Sequence, residues 1–142
     1  MPTLKFGTIE QKVFVKATPQ EVYDALLDAK KHAEFTGSPA MTNDVRGAKF
    51  EAWDGYISGK NLKLAKGKRI VQEWKTTEWP AGYPFSRLEL FLSSKKGGTE
   101  LKMKHSKVPA EQVARYTRGW RSAYWKPLKE YFEKRKQSGM QR

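Results

Sequence analysis

Apolar and polar positions divide the chain into a β-rich stretch framed by helices. Residues 8–16 place Ile9, Gln11, Val13 and Val15 on one side and Glu10, Lys12, Phe14 and Lys16 on the other, the period of a strand with one buried face. Thr18-Pro19-Gln20-Glu21 then offers an N-cap, a proline for the first helical position and a capping-box glutamate. These predict a helix to about residue 29 with Val22, Ala25, Leu26 and Ala29 inward. A second short helix, over about 30–35, stops at Thr36-Gly37-Ser38-Pro39, residues that do not continue helices.

From 41 to 107 the pattern is strands separated by turn signals. Asp54-Gly55 between 49–53 and 56–64 is a two-residue hairpin signal, because a type I′ turn needs the positive φ that Asp and Gly tolerate. Gly67-Lys68 and Lys96-Gly97-Gly98 read as further hairpins and Pro80-Ala81-Gly82 as a longer connection. Ile70, Gln72 and Trp74 share one face, as do Leu88, Leu90 and Leu92, and then Leu101, Met103 and His105. The opposite faces carry lysines, so one side of the sheet is expected to be apolar and the other basic.

Over 109–136 the period changes to three and four. Val113, Tyr116, Trp120, Tyr124, Leu128 and Tyr131 form one stripe of a helix on the order of 40 Å long. Pro109 suits its first turn and Glu111 its positive dipole end. Pro127 cannot donate to the carbonyl of Ala123, which predicts a bend near 123–126. The order is strand, two short helices, about six strands and one long helix. This predicts an α+β fold in which a curved antiparallel sheet wraps around the C-terminal helix. A single domain is expected over 1–136 and a tail over 137–142.

Composition narrows the chemistry. The 142 residues hold no cysteine, which removes disulfides, thiolate zinc sites, iron–sulfur clusters and cysteine nucleophiles. There is neither an apolar leader nor a membrane-length apolar run, so a soluble cytoplasmic protein without membrane insertion is expected. The net charge of +13 attracts acidic partners in a salt-dependent way. Lys60, Lys63, Lys66, Lys68 and Arg69 form a run without an acid, and with Lys102 and Lys104 they are the candidate partner-binding patch. Such a run is usually a solvated edge; as a functional patch it would meet an acidic surface. No helix-turn-helix, zinc-finger or RNP-type signature accompanies the charge, so nucleic acid is not the expected partner.

A sheet gripping a helix leaves room for an apolar pocket between them. Its candidate lining is Phe50, Ile57, Trp74, Leu90, Met103, Trp120 and Tyr124, with plain core packing as the alternative. The two histidines, His32 and His105, match no metal-ligand or nucleophile motif, and no Walker or Rossmann fingerprint exists. No enzyme, metal or cofactor is expected.

Several motifs in order carry a resemblance over roughly residues 9–132. They are Thr18-Pro19-Gln20-Glu21-Val22-Tyr23, Phe35-Thr36-Gly37 and Trp53-Asp54-Gly55-Tyr56-Ile57-Ser58-Gly59, then Trp79-Pro80-Ala81-Gly82, Thr99-Glu100-Leu101, Val108-Pro109, Gly119-Trp120 and Tyr124-Trp125. The chain resembles the C-terminal domain of the activator of the ninety-kilodalton heat-shock protein ATPase, in the START-like helix-grip superfamily, also called SRPBCC or Bet v 1-like. The resemblance implies a non-catalytic co-chaperone that docks on the chaperone and favours its hydrolysis-competent state by differential binding. Other members of the superfamily bind lipids, polyketides or similar molecules, which implies carriage of a small hydrophobic ligand as the alternative.

Overall fold

The computed structural model describes residues 4–140, with side chains to 135. Strand β1 (Phe6–Val15) is followed by helices α1 (Pro19–Leu27) and α2 (Ala29–Thr36). Then come strands β2 (Lys49–Ala52), β3 (Ile57–Ala65), β4 (Arg69–Thr76), β5 (Ser86–Lys95) and β6 (Gly98–Pro109). The chain ends in a 3₁₀ turn (Ala110–Gln112), α3 (Val113–Gly119), a π-helical turn (Trp120–Trp125) and α4 (Lys126–Met140). The six strands form one antiparallel sheet in the order β1-β6-β5-β4-β3-β2.

Local chemistry explains most boundaries. Thr18 Oγ1 accepts from the Glu21 N–H at 3.1 Å and Glu21 Oε1 from the Thr18 N–H at 2.9 Å, the expected reciprocal cap. Asp28 then caps α2 by accepting from the Lys31 N–H at 3.0 Å, so the first helix stops earlier than its apolar spacing suggests. Five strands follow the short helices where about six were expected, because Met41 makes only an isolated bridge to Glu51. Asn61 points inward in the same alternation as Ile57 and Gly59, and a bulge between Asn61 and Lys63 follows it. The Asn61 amide donates to the carbonyls of Asn43 and Val45 and accepts from Gln72, which anchors the loop before β2.

The concave face carries the core. Ile70, Gln72, Trp74, Leu88, Leu90, Leu92, Leu101, Met103 and His105 are all buried there, as their alternation predicts. Gly59 lets β3 lie close beneath Phe50, since a Cβ there would collide with the Glu73 carbonyl oxygen and the Phe50 ring. The convex face departs from expectation. Cross-strand register sets Glu10, Lys104 and Glu89 in one row and Lys12, Lys102, Phe91 and Arg69 in the next, so acids interleave with the bases.

The terminal helix also differs in detail. Pro109 closes β6 instead of opening the helix, and the α-helical part begins at Val113. Where Pro127 predicts a bend, the helix makes a π turn, in which the Lys126 N–H reaches back five residues to the Arg121 carbonyl. That extra residue shifts the buried stripe. Tyr116, Trp120, Tyr124 and Leu128 are buried as expected, but Trp125 joins them and Phe132 takes the place of the half-buried Tyr131. Where a tail was expected, helical backbone continues to Met140, and residues 141 and 142 lie outside the described part.

Candidate functional site

Three turns of the terminal helix lie over the end of the sheet formed by Trp74, Ile57 and the β2–β3 connection. That connection is not the expected two-residue turn. Trp53, Asp54 and Gly55 all have positive φ, at 53°, 55° and 87°, and Ala52 pairs with Ile57 across them. A tryptophan in the left-handed region is held there by its surroundings. The Asp54 N–H donates to the Pro39 carbonyl at 2.9 Å, and the Trp53 ring meets Tyr124 edge-on at 6.4 Å. Opposite stands the π turn, with Trp120, Ala123 and Tyr124. Both walls are thus built from uncommon backbone, a frequent mark of functional sites.

Between them is a cleft of about 350 Å³ lined by Trp53, Tyr56, Ile57, Trp74, Arg115, Tyr116, Gly119, Trp120, Ala123 and Tyr124. Six of these ten residues are aromatic, so the cleft is an apolar slot of ligand-binding size. A groove of about 540 Å³ between β1 and α4 is larger, but Glu10, Lys12, Arg121, Lys126, Lys129 and Glu130 line it with charges of both signs. We therefore take the aromatic cleft as the site.

Hydrogen bonds fix its rings from behind. The Trp120 indole N–H donates to His105 Nδ1 at 3.1 Å. Because an indole can only donate, Nδ1 is the acceptor and the imidazole proton sits on Nε2. Nε2–H then donates to Ser86 Oγ at 2.8 Å, and the serine hydroxyl donates to the Trp74 carbonyl. In this arrangement His105 gives Ser86 a proton contact instead of taking one, so the pair orients Trp120 and Trp74 and does not activate the serine. Complete burial holds the His105 pKa down to about 3.

The second histidine repeats the logic. His32 Nδ1–H donates to the Leu26 carbonyl at 2.9 Å, which leaves Nε2 to accept the Tyr124 hydroxyl at 3.1 Å. Burial lowers the His32 pKa, although the carbonyl contact opposes it, and burial raises the Tyr124 phenol. Tyr116 shares a 2.7 Å hydrogen bond with Thr76. Polar groups of three wall residues are thus occupied by partners in the protein. Charged groups lie at the rim, where Tyr56 and Arg115 both donate to Glu78 Oε2 at 2.7 Å.

The sequence-derived lining separates into groups. Ile57, Trp74, Trp120 and Tyr124 line the cleft. Phe50 and Leu90 instead border a void of about 30 Å³ behind Trp74, Trp120 and Tyr124. The buried hydroxyl of Thr42 also borders it, without a hydrogen-bond partner among the described residues. Met103 lines neither cavity, being packed between Leu90 and Gln11 in the sheet register. The residues missed were Trp53, Tyr56, Arg115, Tyr116, Gly119 and Ala123. Two aromatic residues flanking Asp54-Gly55 were the available signal for the first two.

The candidate basic patch is spread over the convex face and one turn. Lys60, Lys63, Arg69, Lys102 and Lys104 share the outer face, while Lys66 and Lys68 lie in the β3–β4 turn. Several are paired. Arg69 meets Glu89 at 2.9 Å, Arg87 meets the same carboxylate at 3.4 Å, and Lys102 meets Glu100 at 3.7 Å. Burial alone would raise the Glu89 carboxyl, yet the hydrogen bond from Arg69 and the charge of Arg87 hold it below the ordinary value. Among the described residues no group of three or more acids and histidines is placed to hold a metal ion, and no helix is long and apolar enough to cross a membrane.

A six-stranded antiparallel sheet closed over a long C-terminal helix, with two short helices between its first strands and a cleft beneath the helix, defines a helix-grip protein. The family profile described as "Activator of Hsp90 ATPase homolog 1-like protein" matches residues 16–133, and the chain belongs to that family. The human activator of 90 kDa heat shock protein ATPase homolog 1 is 33% identical over 132 residues, which are 93% of this chain and 38% of that protein. A Dictyostelium discoideum homologue is 28% identical over 84% of this chain and 31% of its own length. This chain therefore spans well under half of these relatives. Among solved structures, an HSP90 activator from Plasmodium falciparum superposes with a TM-score of 0.74 at 24% identity, covering 83% of this chain and 89% of that one. The Aha1 dimer from Colwellia psychrerythraea gives 0.72 at 17% identity, covering 87% and 96%.

Proposed function

We propose that this chain is a non-catalytic regulator that docks on a ninety-kilodalton heat-shock chaperone in the cytoplasm and favours its ATPase-competent conformation. The observation that carries this reading is the family match through residues 16–133. The excess positive charge supports it, because an acidic chaperone face would be recognised through the convex-face and turn lysines. No residue here needs to touch nucleotide, since differential binding to two chaperone states is sufficient to change turnover. The test is the ATPase rate of the chaperone from the same source, with and without this protein, across a salt series. Stimulation that fades with salt and is reduced by Lys60→Glu with Lys63→Glu supports the reading. Absence of both binding and any change in turnover sinks it.

A second reading, carriage of a small hydrophobic ligand, is favoured by the aromatic cleft of about 350 Å³. It does not exclude the first, because an occupied cleft would stiffen the helix and the β2–β3 turn that flank it.

A further inference from the structure

The chemistry of the cleft narrows what it would hold, and this step rests on the ligand-carrying reading. Three of the rings in its depth have their polar groups occupied elsewhere: Trp120 by His105, Tyr116 by Thr76 and Tyr124 by His32. A ligand buried among them therefore finds ring faces and edges, which favour a flat aromatic body. Because those hydrogen bonds fix the rings in advance, little ordering is needed on binding. Gly119, with no atom beyond its chain neighbours and its own helix backbone within 4 Å of the position a Cβ would take, leaves room on the helix side.

The rim decides the charge. Glu78 Oε2 already accepts from both Tyr56 and Arg115. Arg115 spends one hydrogen bond on it among the described residues, whereas a guanidinium carries five N–H donors. The unspent donors suit a carboxylate, which a guanidinium binds through two parallel bonds. Glu78 occupies one side of that guanidinium, so an acid must take the donors Glu78 leaves, in a chain whose net charge of +13 favours an anion over a cation. We infer that the cleft takes a flat aromatic acid, its rings between Trp53, Trp74 and Trp120 and its carboxylate on Arg115.

The test uses the whole chain and three probes of one shape: 2-naphthoate, 2-naphthylmethanol and 2-naphthylmethylammonium. Quenching of tryptophan fluorescence and calorimetric titration follow binding. Naphthoate is expected to bind at least tenfold tighter than the alcohol and the ammonium probe more weakly than either. Arg115→Gln should erase the preference for the acid, and Gly119→Leu should weaken all three at least tenfold with the thermal transition retained. If Gly119→Leu does not fold, the exposed Arg115→Gln still decides the matter. Alcohol binding as tight as acid overturns the inference while carriage of an apolar ligand stands. Binding of none of the three overturns the carriage reading with it. Binding untouched by both substitutions places the probes elsewhere and overturns the inference as well.

Discussion

The two ends of the space between sheet and helix are built on different principles. At one end Val15, Val22, Leu27, Leu101 and Leu128 are almost wholly buried aliphatic side chains, and the interior is closed. At the other, Trp53, Trp74, Tyr116, Trp120 and Tyr124 surround a cleft of about 350 Å³. Aliphatic side chains choose among rotamers until they fill the volume available. Rings tied by hydrogen bonds to His105, Thr76 and His32 cannot turn to fill a gap without breaking those bonds. An apolar interior can thus be open as a direct consequence of being hydrogen-bonded.

The largest expected effects test whether both ends contribute to stability. Trp120→Ala should cost about 3 to 5 kcal/mol and Leu128→Ala about 2 to 5 kcal/mol in urea unfolding. A near-neutral Trp120→Ala would mean the ring forms the cleft without supporting the fold.

Next comes acid. The His105 pKa of about 3 lies below the 6.5 of an exposed histidine, so below pH 6.5 the unfolded chain takes up a proton that the folded chain refuses. Stability is complete above pH 6.5 and declines as pH falls towards 3, by about 3 kcal/mol at pH 4.5 from this residue. The lowered His32 adds to the decline in the same direction. Unfolding free energies at pH 7 and 4.5 measure it, and His105→Gln should flatten the slope. An unchanged slope would remove His105 from the account.

A smaller change separates open space from packed space. Gly119 is helical and its Cβ would enter the cleft, so Gly119→Ala should raise stability by up to about 1 kcal/mol in a thermal melt. A loss of that size would indicate a cleft that closes in solution. The smallest effect is at the rim. Arg115→Gln removes an ion pair whose side chains are 54% and 51% exposed, and the melt should move by no more than about 1 kcal/mol.

The fold was largely legible because each strand has one buried face, and such alternation survives in sequence. The capping box at Thr18–Glu21 and an irregular helix before Pro127 were legible because both are local chemistry. The site was legible only in part. Trp53 looked like the last residue of a strand, and only the contacts of its turn with Pro39 and Tyr124 place it in the left-handed region. Met103 and Trp74 alternate identically with their neighbours, yet one is packed against Leu90 and Gln11 while the other faces the cleft. What separates them is how the helix crosses the sheet, which periodicity does not encode. Arg115 escaped because its role depends on Glu78, a residue far off in sequence.

The π turn also provides an optical reporter. Trp120 and Trp125 stack with their planes 15° apart and centroids 5.3 Å from one another, a pairing of residues five apart that the wider turn brings onto one side. Two indoles so close couple their electronic transitions, and the resulting circular-dichroism couplet depends on the angle between them. The couplet should therefore change if the turn straightens into ordinary helix, even while the backbone stays helical and the Trp74–Trp120 and Trp74–Trp79 pairs still couple. With Trp120 also walling the cleft, the same signal would register an occupant as a change in the colour of the protein's own chromophores, with no label added.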